Sequence, residues 1–169
     1  SSRNPMLRYI IHMLLLTGAR KREVLDARWE DFDTERRFWR IPYTKAGTER
    51  HVPLSDAVLE LLHSIPRTAD CDYVFANPNT QQPYVAIYYS FHTARTQAGL
   101  ADVRIHDLRH SLASFLVNAG CSLYEVQKLL GHSSSKMTQR YSHLNQTSLL
   151  RAVSMAQTYV STDTDTLDS

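Results

Sequence analysis

The stretch HDLRHSLASFLVNAGCSLYEVQKLLGH, residues 106–132, has the clearest periodicity in the chain. Leu108, Leu112, Phe115 and Leu116 recur at the three-and-four spacing that places apolar side chains on one helical face. Asn118-Ala119-Gly120 supplies a stop for that helix. Ser122 followed three residues later by Glu125 is a capping box, in which hydroxyl and carboxylate each satisfy a backbone N–H at a helix start. A second helix carrying Val126, Leu129 and Leu130 is therefore predicted, closed by Gly131.

Toward the C-terminus, Ser133 to Ser135 can cap a further helix with Met137 and Tyr141, and an amphipathic segment with Leu149, Leu150, Val153 and Ala156 follows Asn145. Residues 161–169, STDTDTLDS, are expected to form a disordered acidic tail. Toward the N-terminus, Pro5 suits the first turn of a helix whose apolar positions are Leu7, Ile10, Ile11, Leu14 and Leu15, broken at Thr17-Gly18. A short helix from Lys21 leads to Trp29, a predicted core aromatic. The segments 38–43 and 51–54 are rich in aromatic and β-branched residues and flank the turn-like Lys45-Ala46-Gly47-Thr48, which predicts a β-hairpin. Ser55 caps a helix with Val58, Leu59, Leu61 and Leu62 that Pro66 stops. Tyr73-Val74-Phe75 reads as a short strand, Asn77 to Pro83 as a polar turn, and Tyr84 to Ala98 as a helix ending at Gly99.

A length of 169 residues suits one domain able to bury its own core. With 43% hydrophobic and 21% charged residues but only five Gly and six Pro, the chain is excluded from the disordered and fibrous classes. Its longest apolar stretch, Tyr9 to Leu16, contains His12 and is far short of the roughly 20 residues that span a bilayer. The two cysteines, Cys71 and Cys121, form neither a disulfide framework nor a metal knuckle, which favours a reducing compartment. A formal charge of +2 announces no partner by itself.

The chemistry concentrates at the start of the 106–118 helix. His106 and Arg109, three residues apart, share one side of it beside backbone N–H groups that favour an anion. Taken alone, such a pair is as readily a charged surface turn. Its neighbours change the reading: Thr17-Gly18-Ala19-Arg20 with Glu23, Lys45 in the hairpin turn, His106-x-x-Arg109-His110, Gly131-His132, and Tyr141 nine residues beyond His132. In this order the motifs resemble the catalytic domain of the tyrosine recombinases, the phage-integrase family, over roughly residues 14–144. Val24 stands where the family usually has Leu, which leaves the catalytic positions untouched.

The resemblance implies a mainly α-helical domain with a small antiparallel β-sheet, the α+β fold of tyrosine-recombinase catalytic domains, over residues 1–160. It implies that Arg20 and Arg109 are the two catalytic arginines, Lys45 the hairpin lysine, His106 the first histidine of the family box, His132 the later His/Trp position and Tyr141 the nucleophile. Glu23 and His110 are expected to support them. The chain opens at Ser1 without Met, and the resemblance places an N-terminal DNA-binding domain of the full-length protein upstream. The implied partner is double-stranded DNA bearing specific recombination sites, engaged by a homo-tetramer of the full-length protein. The domain alone would be a monomer or weak dimer in the cytoplasm of a bacterial host, with no membrane partner.

Physical chemistry fits those roles. A tyrosine phenol can hold a phosphate as an ester and so conserve the energy of a broken phosphodiester. Its pKa near 10 calls for a base, and His106 is the candidate. Two guanidinium forks, Arg20 and Arg109, can neutralise charge developing on the non-bridging oxygens, with His132 as a further donor. Lys45 is the candidate acid for the departing 5′ oxygen. No cofactor is implied, and no metal, because His106 and His110 lack a Cys or carboxylate to complete a ligand set. Arg50, Arg104, Lys136 and Arg140 are candidate DNA-phosphate contacts. Without the tail's Asp163, Asp165 and Asp168 the chain carries +5, so charge placement says more than the total. The alternatives are relaxation of DNA in the manner of a type IB topoisomerase, and a catalytically silent DNA-binding regulator.

Overall fold

The computed structural model describes residues 4–42, 49–131, 150, 153 and 154. Helix α1, Leu7–Thr17, buries Leu7, Ile10 and Leu14 as its apolar spacing predicts, together with Tyr9, Met13 and Thr17, while Ile11 and Leu15 are only half-buried. It ends where Gly18 turns left-handed, at φ 62°, and donates its N–H to the Leu14 carbonyl at 2.9 Å. Helix α2, Lys21–Leu25, follows at once, then a single 3-10 turn, Trp29–Asp31.

The predicted hairpin is present as β2, Phe38–Ile41, and β3, Arg50–Pro53, antiparallel with Trp39 opposite Val52 and Ile41 opposite Arg50. A two-residue strand, β1 at Phe32–Asp33, extends it on the other edge of β2. Alternation along the strands turns Trp39, Ile41 and Val52 inward, and Phe32 stacks on the Trp39 ring at 5.2 Å. Trp39 is the fully buried tryptophan, while Trp29 packs against the same core only partly buried. Trp29 is half-buried beneath the Arg67 guanidinium, 4.1 Å from its ring centre.

Ser55 caps α3, Asp56–Ser64, by accepting the Val58 N–H. Two expectations need correction. Tyr73-Val74-Phe75 is a buried turn, not a strand: Tyr73 makes one isolated bridge to Arg28, and the chain reverses before a ladder can form. The predicted helix 84–98 begins only at α4, Tyr88–Gln97, because residues 84–87 run on from the bridge between Ala76 and Pro83. In this stretch Ile87 is buried in the main core and Tyr84 packs against it, while Val85 is 91% exposed.

Helices α5, Ile105–Asn118, and α6, Leu123–Leu130, match the opening motif, including the Ser122–Glu125 capping box and the left-handed Gly131. α1 packs between α3 and α5, and α5 packs against α6. The main core joins α1, α2, the sheet and α3. A second apolar cluster joins Leu112 and Leu116 of α5 to Val126, Leu129 and Leu130 of α6, and Val153 is buried in it. The structure thus confirms a mainly helical domain with a small antiparallel sheet. The hairpin turn, the helix at Met137 and Tyr141, Leu149, Ala156 and the tail lie outside the described residues. Among the described residues no helix is long and apolar enough to cross a membrane.

Candidate active site

The site is built where the left-handed ends of α1 and α6 meet. Thr17, fully buried, donates its hydroxyl to the Met13 carbonyl at 2.6 Å and accepts the Ala19 N–H at 3.2 Å, which stiffens the exit from α1. A Cβ on Gly18 would lie 2.3 Å from Cδ2 of Leu130 and 2.8 Å from Cδ2 of Leu112. Only glycine therefore lets the end of α1 sit against α5 and α6.

Arg20 is the residue preceding α2. Its backbone N–H donates to Oε2 of Glu23 at 2.7 Å, its guanidinium to Oε1 at 3.0 Å, and its other fork to the Gly131 carbonyl at 3.0 Å. Glu23 is shared. Its Oε2 also accepts from Arg50 at 2.6 Å, while Arg50 donates from its second fork to the Leu129 carbonyl at 3.0 Å. Arg109, buried in α5, donates to the Gly18 carbonyl at 2.9 Å and to the Leu130 carbonyl. The last carbonyls of α6 and its cap, at 129, 130 and 131, thus each hold one guanidinium. These carbonyls have no partner within their helix and lie at the negative end of its dipole, so cations are their natural ligands.

Three guanidiniums gather around one carboxylate, leaving the cluster at +2. Burial pushes the Glu23 carboxyl up, but the charge and hydrogen bond of Arg50 and the hydrogen bonds of Arg20 outweigh it and hold Glu23 below the ordinary carboxylate value. Arg109 is pushed down to about 10, by burial first and then by the charges of Arg20 and Arg50, with Glu23 partly compensating. It stays protonated at neutral pH, short of negative charge. Beside it opens a cavity of about 450 Å³, bordered by Arg20, His106 and Arg109 and by the apolar Leu14, Ala19 and Ile105. His106 is exposed in the first turn of α5, and His110 packs edge-on against its ring at 4.7 Å.

Of the residues singled out from sequence, Arg20, Glu23, His106 and Arg109 come together. Lys45, His132, Lys136, Arg140 and Tyr141 lie outside the described residues. Arg104 is exposed and engages both carboxylate oxygens of Asp107, at 3.0 and 3.2 Å, at the start of α5. Arg50 departs from its expected place on the surface. Its side chain is 13% exposed and points inward. A signal for this was present in the strand alternation, because Arg50 shares the sheet face of Val52 and pairs with the buried Ile41.

A cationic pocket of this kind is expected to take up an oxyanion. Millimolar sulfate or phosphate should raise the melting temperature by several degrees over chloride at matched ionic strength. A ligand at ten times its Kd contributes about 1.4 kcal/mol, worth roughly 3–6 °C in a domain of this size. Equal melting temperatures in the three salts would mean that the pocket holds no anion.

This fold, with its cationic pocket, is that of a known family of catalytic domains, as comparison with known proteins shows. The model of the phage integrase family matches residues 2–148. Tyrosine recombinase XerA of Saccharolobus solfataricus is 35% identical over 136 residues, which cover 80% of this chain and 45% of that protein. Two solved structures are also similar. The catalytic domain of bacteriophage HP1 integrase is 29% identical at a TM-score of 0.58, covering 85% of this chain and 77% of that one. XerH site-specific recombinase bound to its difH substrate, a pre-cleavage complex, is 28% identical at a TM-score of 0.64, covering 84% and 43%. The chain belongs to the phage integrase family, the tyrosine recombinases, and has the fold of their catalytic domain. It spans about half or less of the curated relatives it matches.

Proposed function

We propose that the chain, over residues 1–160, is the catalytic domain of a site-specific DNA recombinase that cleaves and rejoins strands through a 3′-phosphotyrosyl intermediate, integrating or excising a mobile element. The observation that carries this reading is the convergence of Arg20, Arg109 and His106 on one cationic pocket.

In this reading a DNA phosphodiester enters the pocket, and Arg20 and Arg109 donate to its two non-bridging oxygens. The phenolic oxygen of Tyr141 attacks phosphorus as His106 takes its proton, and the bond from phosphorus to the 5′ oxygen breaks. Lys45 supplies the proton to that leaving oxygen, which departs as a free 5′ hydroxyl. The strand is left esterified to Tyr141 through its 3′ phosphate. Attack by the 5′ hydroxyl of a partner strand then reverses the chemistry and joins new ends. His132 adds a donor to the phosphate. Fixed cations do the charge stabilisation throughout, and the reaction calls for no cofactor because the ester conserves the bond energy. In this reading Arg104, Lys136 and Arg140 contact flanking phosphates. The full-length protein would add an N-terminal DNA-binding domain to complete a clamp on the duplex and would act as a tetramer on two sites in the cytoplasm of its bacterial host.

The test is a nicked suicide substrate carrying the recombination site, incubated with the full-length protein. A covalent protein–DNA adduct is expected, with the linked peptide mapping to Tyr141. No adduct, or linkage at another tyrosine, would overturn the mechanism. Joining of strands from two different sites distinguishes recombination from topoisomerase-like relaxation.

The isolated domain is expected to bind DNA weakly and with steep salt dependence, because half a clamp reaches few phosphates. Log affinity should fall linearly with log salt at about 0.9 per phosphate neutralised. Tight binding that persists at high salt, followed by fluorescence anisotropy across a salt series, would contradict this.

A further inference from the structure

We propose that Arg50 is a positioning residue of the recombination site, acting inward through Glu23 on Arg20, rather than a contact to DNA phosphate. The inference rests on the recombinase reading given above. Four observations support it. Arg50 lies on the core face of β3, opposite Ile41 and on the same face as Val52, where a cation persists only if it is paired. One fork is committed to Glu23 at 2.6 Å and the other to the Leu129 carbonyl at 3.0 Å. Its Nε–H is buried without a hydrogen-bond partner among the described residues. Gly131 makes room for it, since a Cβ there would fall 2.7 Å from both Cδ and Nε of Arg50. A side chain so enclosed cannot swing out to a duplex.

Its position lets it set the geometry of the clamp. Glu23 has two oxygens and divides them between Arg50 and Arg20, so Arg50 determines how the carboxylate is oriented when it holds the Arg20 guanidinium. The same end of α6 that anchors Arg50 anchors Arg109 and Arg20 one and two residues on. Arg50 therefore links the sheet to both arginines of the pocket without bordering the pocket itself.

The groups facing Glu23 are Arg20 at the start of α2, Arg50 on β3 and, through its charge, Arg109 on α5. The end of α6 contributes the Leu129 and Gly131 carbonyls that hold Arg50 and Arg20. Removing Arg50 deletes the stronger of the two ion pairs and leaves burial to push the carboxyl up. Glu23 would then protonate at a higher pH and release Arg20.

The experiment compares wild-type full-length protein with Arg50→Met and Arg50→Lys on the suicide substrate, measuring affinity, its salt slope and the single-turnover rate at saturating DNA. For Arg50→Met the expected result is a rate lowered by roughly 10- to 100-fold, with the acid limb of the pH–rate profile moved toward neutrality and the salt slope unchanged. Arg50→Lys should recover part of the rate and return the acid limb toward its wild-type position. A salt slope reduced by about 1 with a wild-type saturating rate would instead mark Arg50 as a phosphate contact and overturn the inference. If Arg50→Met does not fold, Arg50→Lys decides on the same readouts. If the wild-type protein itself forms no adduct, the recombinase reading fails. The positioning claim is then read from the Glu23 carboxyl followed by 13C NMR. A titration raised in Arg50→Met and brought back toward wild type in Arg50→Lys supports the claim, and one unchanged in Arg50→Met refutes it.

Discussion

Replacing Arg109 by lysine is expected to slow covalent adduct formation about 10³-fold at saturating DNA while changing DNA affinity only a few-fold. Arg109 donates to the Gly18 and Leu130 carbonyls and borders the pocket, so its guanidinium is aimed before any phosphate arrives. Donors fixed in advance where charge develops give the largest catalytic returns, and removal of one typically costs 10²–10³ in rate. Lysine keeps the charge but loses the fork. An ammonium is a point donor on a flexible stem and cannot hold two carbonyls and a phosphate oxygen in one plane. The substitution also strands buried carbonyls, at about 1–3 kcal/mol for each left unsatisfied, so the assay belongs well below the melting temperature with folding checked by circular dichroism. A folded Arg109→Lys protein within tenfold of the wild-type rate would show that Arg109 does not bear the transition-state charge.

Gly18→Ala is expected to be the most damaging small substitution to stability, costing about 2–5 kcal/mol. Two penalties combine. The left-handed φ of 62° costs a residue with a Cβ about 1–2 kcal/mol, and the added methyl must displace Leu130 at 2.3 Å and Leu112 at 2.8 Å, a form of overpacking worth about 1–3 kcal/mol. Thermal unfolding should show a drop on the order of 10 °C. Gly99 makes the contrast: it is also left-handed, at φ 72°, but a Cβ there meets nothing within 4 Å, so Gly99→Ala carries only the backbone penalty. Equal losses at the two sites would mean that the close approach at Gly18 contributes nothing.

Much of this architecture was legible in the sequence because local signals and packing agreed. The face of α1, the hairpin, the cap at Ser55 and the 122–131 helix follow from spacing and end residues that the tertiary structure reinforces. Where they parted, long-range contacts decided. Val74 and Phe75 are strand-like residues buried in a turn, since the segment they meet around Arg28 offers one bridge and no ladder. Val85 lent an apolar look to a helix start that the chain reaches only at Tyr88. At the site, the support of Arg20 by Glu23, three residues on at the start of a short helix, was readable, but the carbonyls at 129–131 were not. Backbone acceptors carry no sequence signature, and the arginines they hold come from 21, 79 and 111 residues away.

That separation has a consequence for safety. An enzyme able to open phosphodiester bonds is a hazard to its own genome if it acts while half-made. Here the arginines gathered at the site come from positions 20, 50 and 109 and are brought into register by the final turn of one helix, so no piece of the chain shorter than 20–131 holds the assembled set. If the chain cuts DNA as proposed, that competence is withheld from molecules in which these segments have not yet come together.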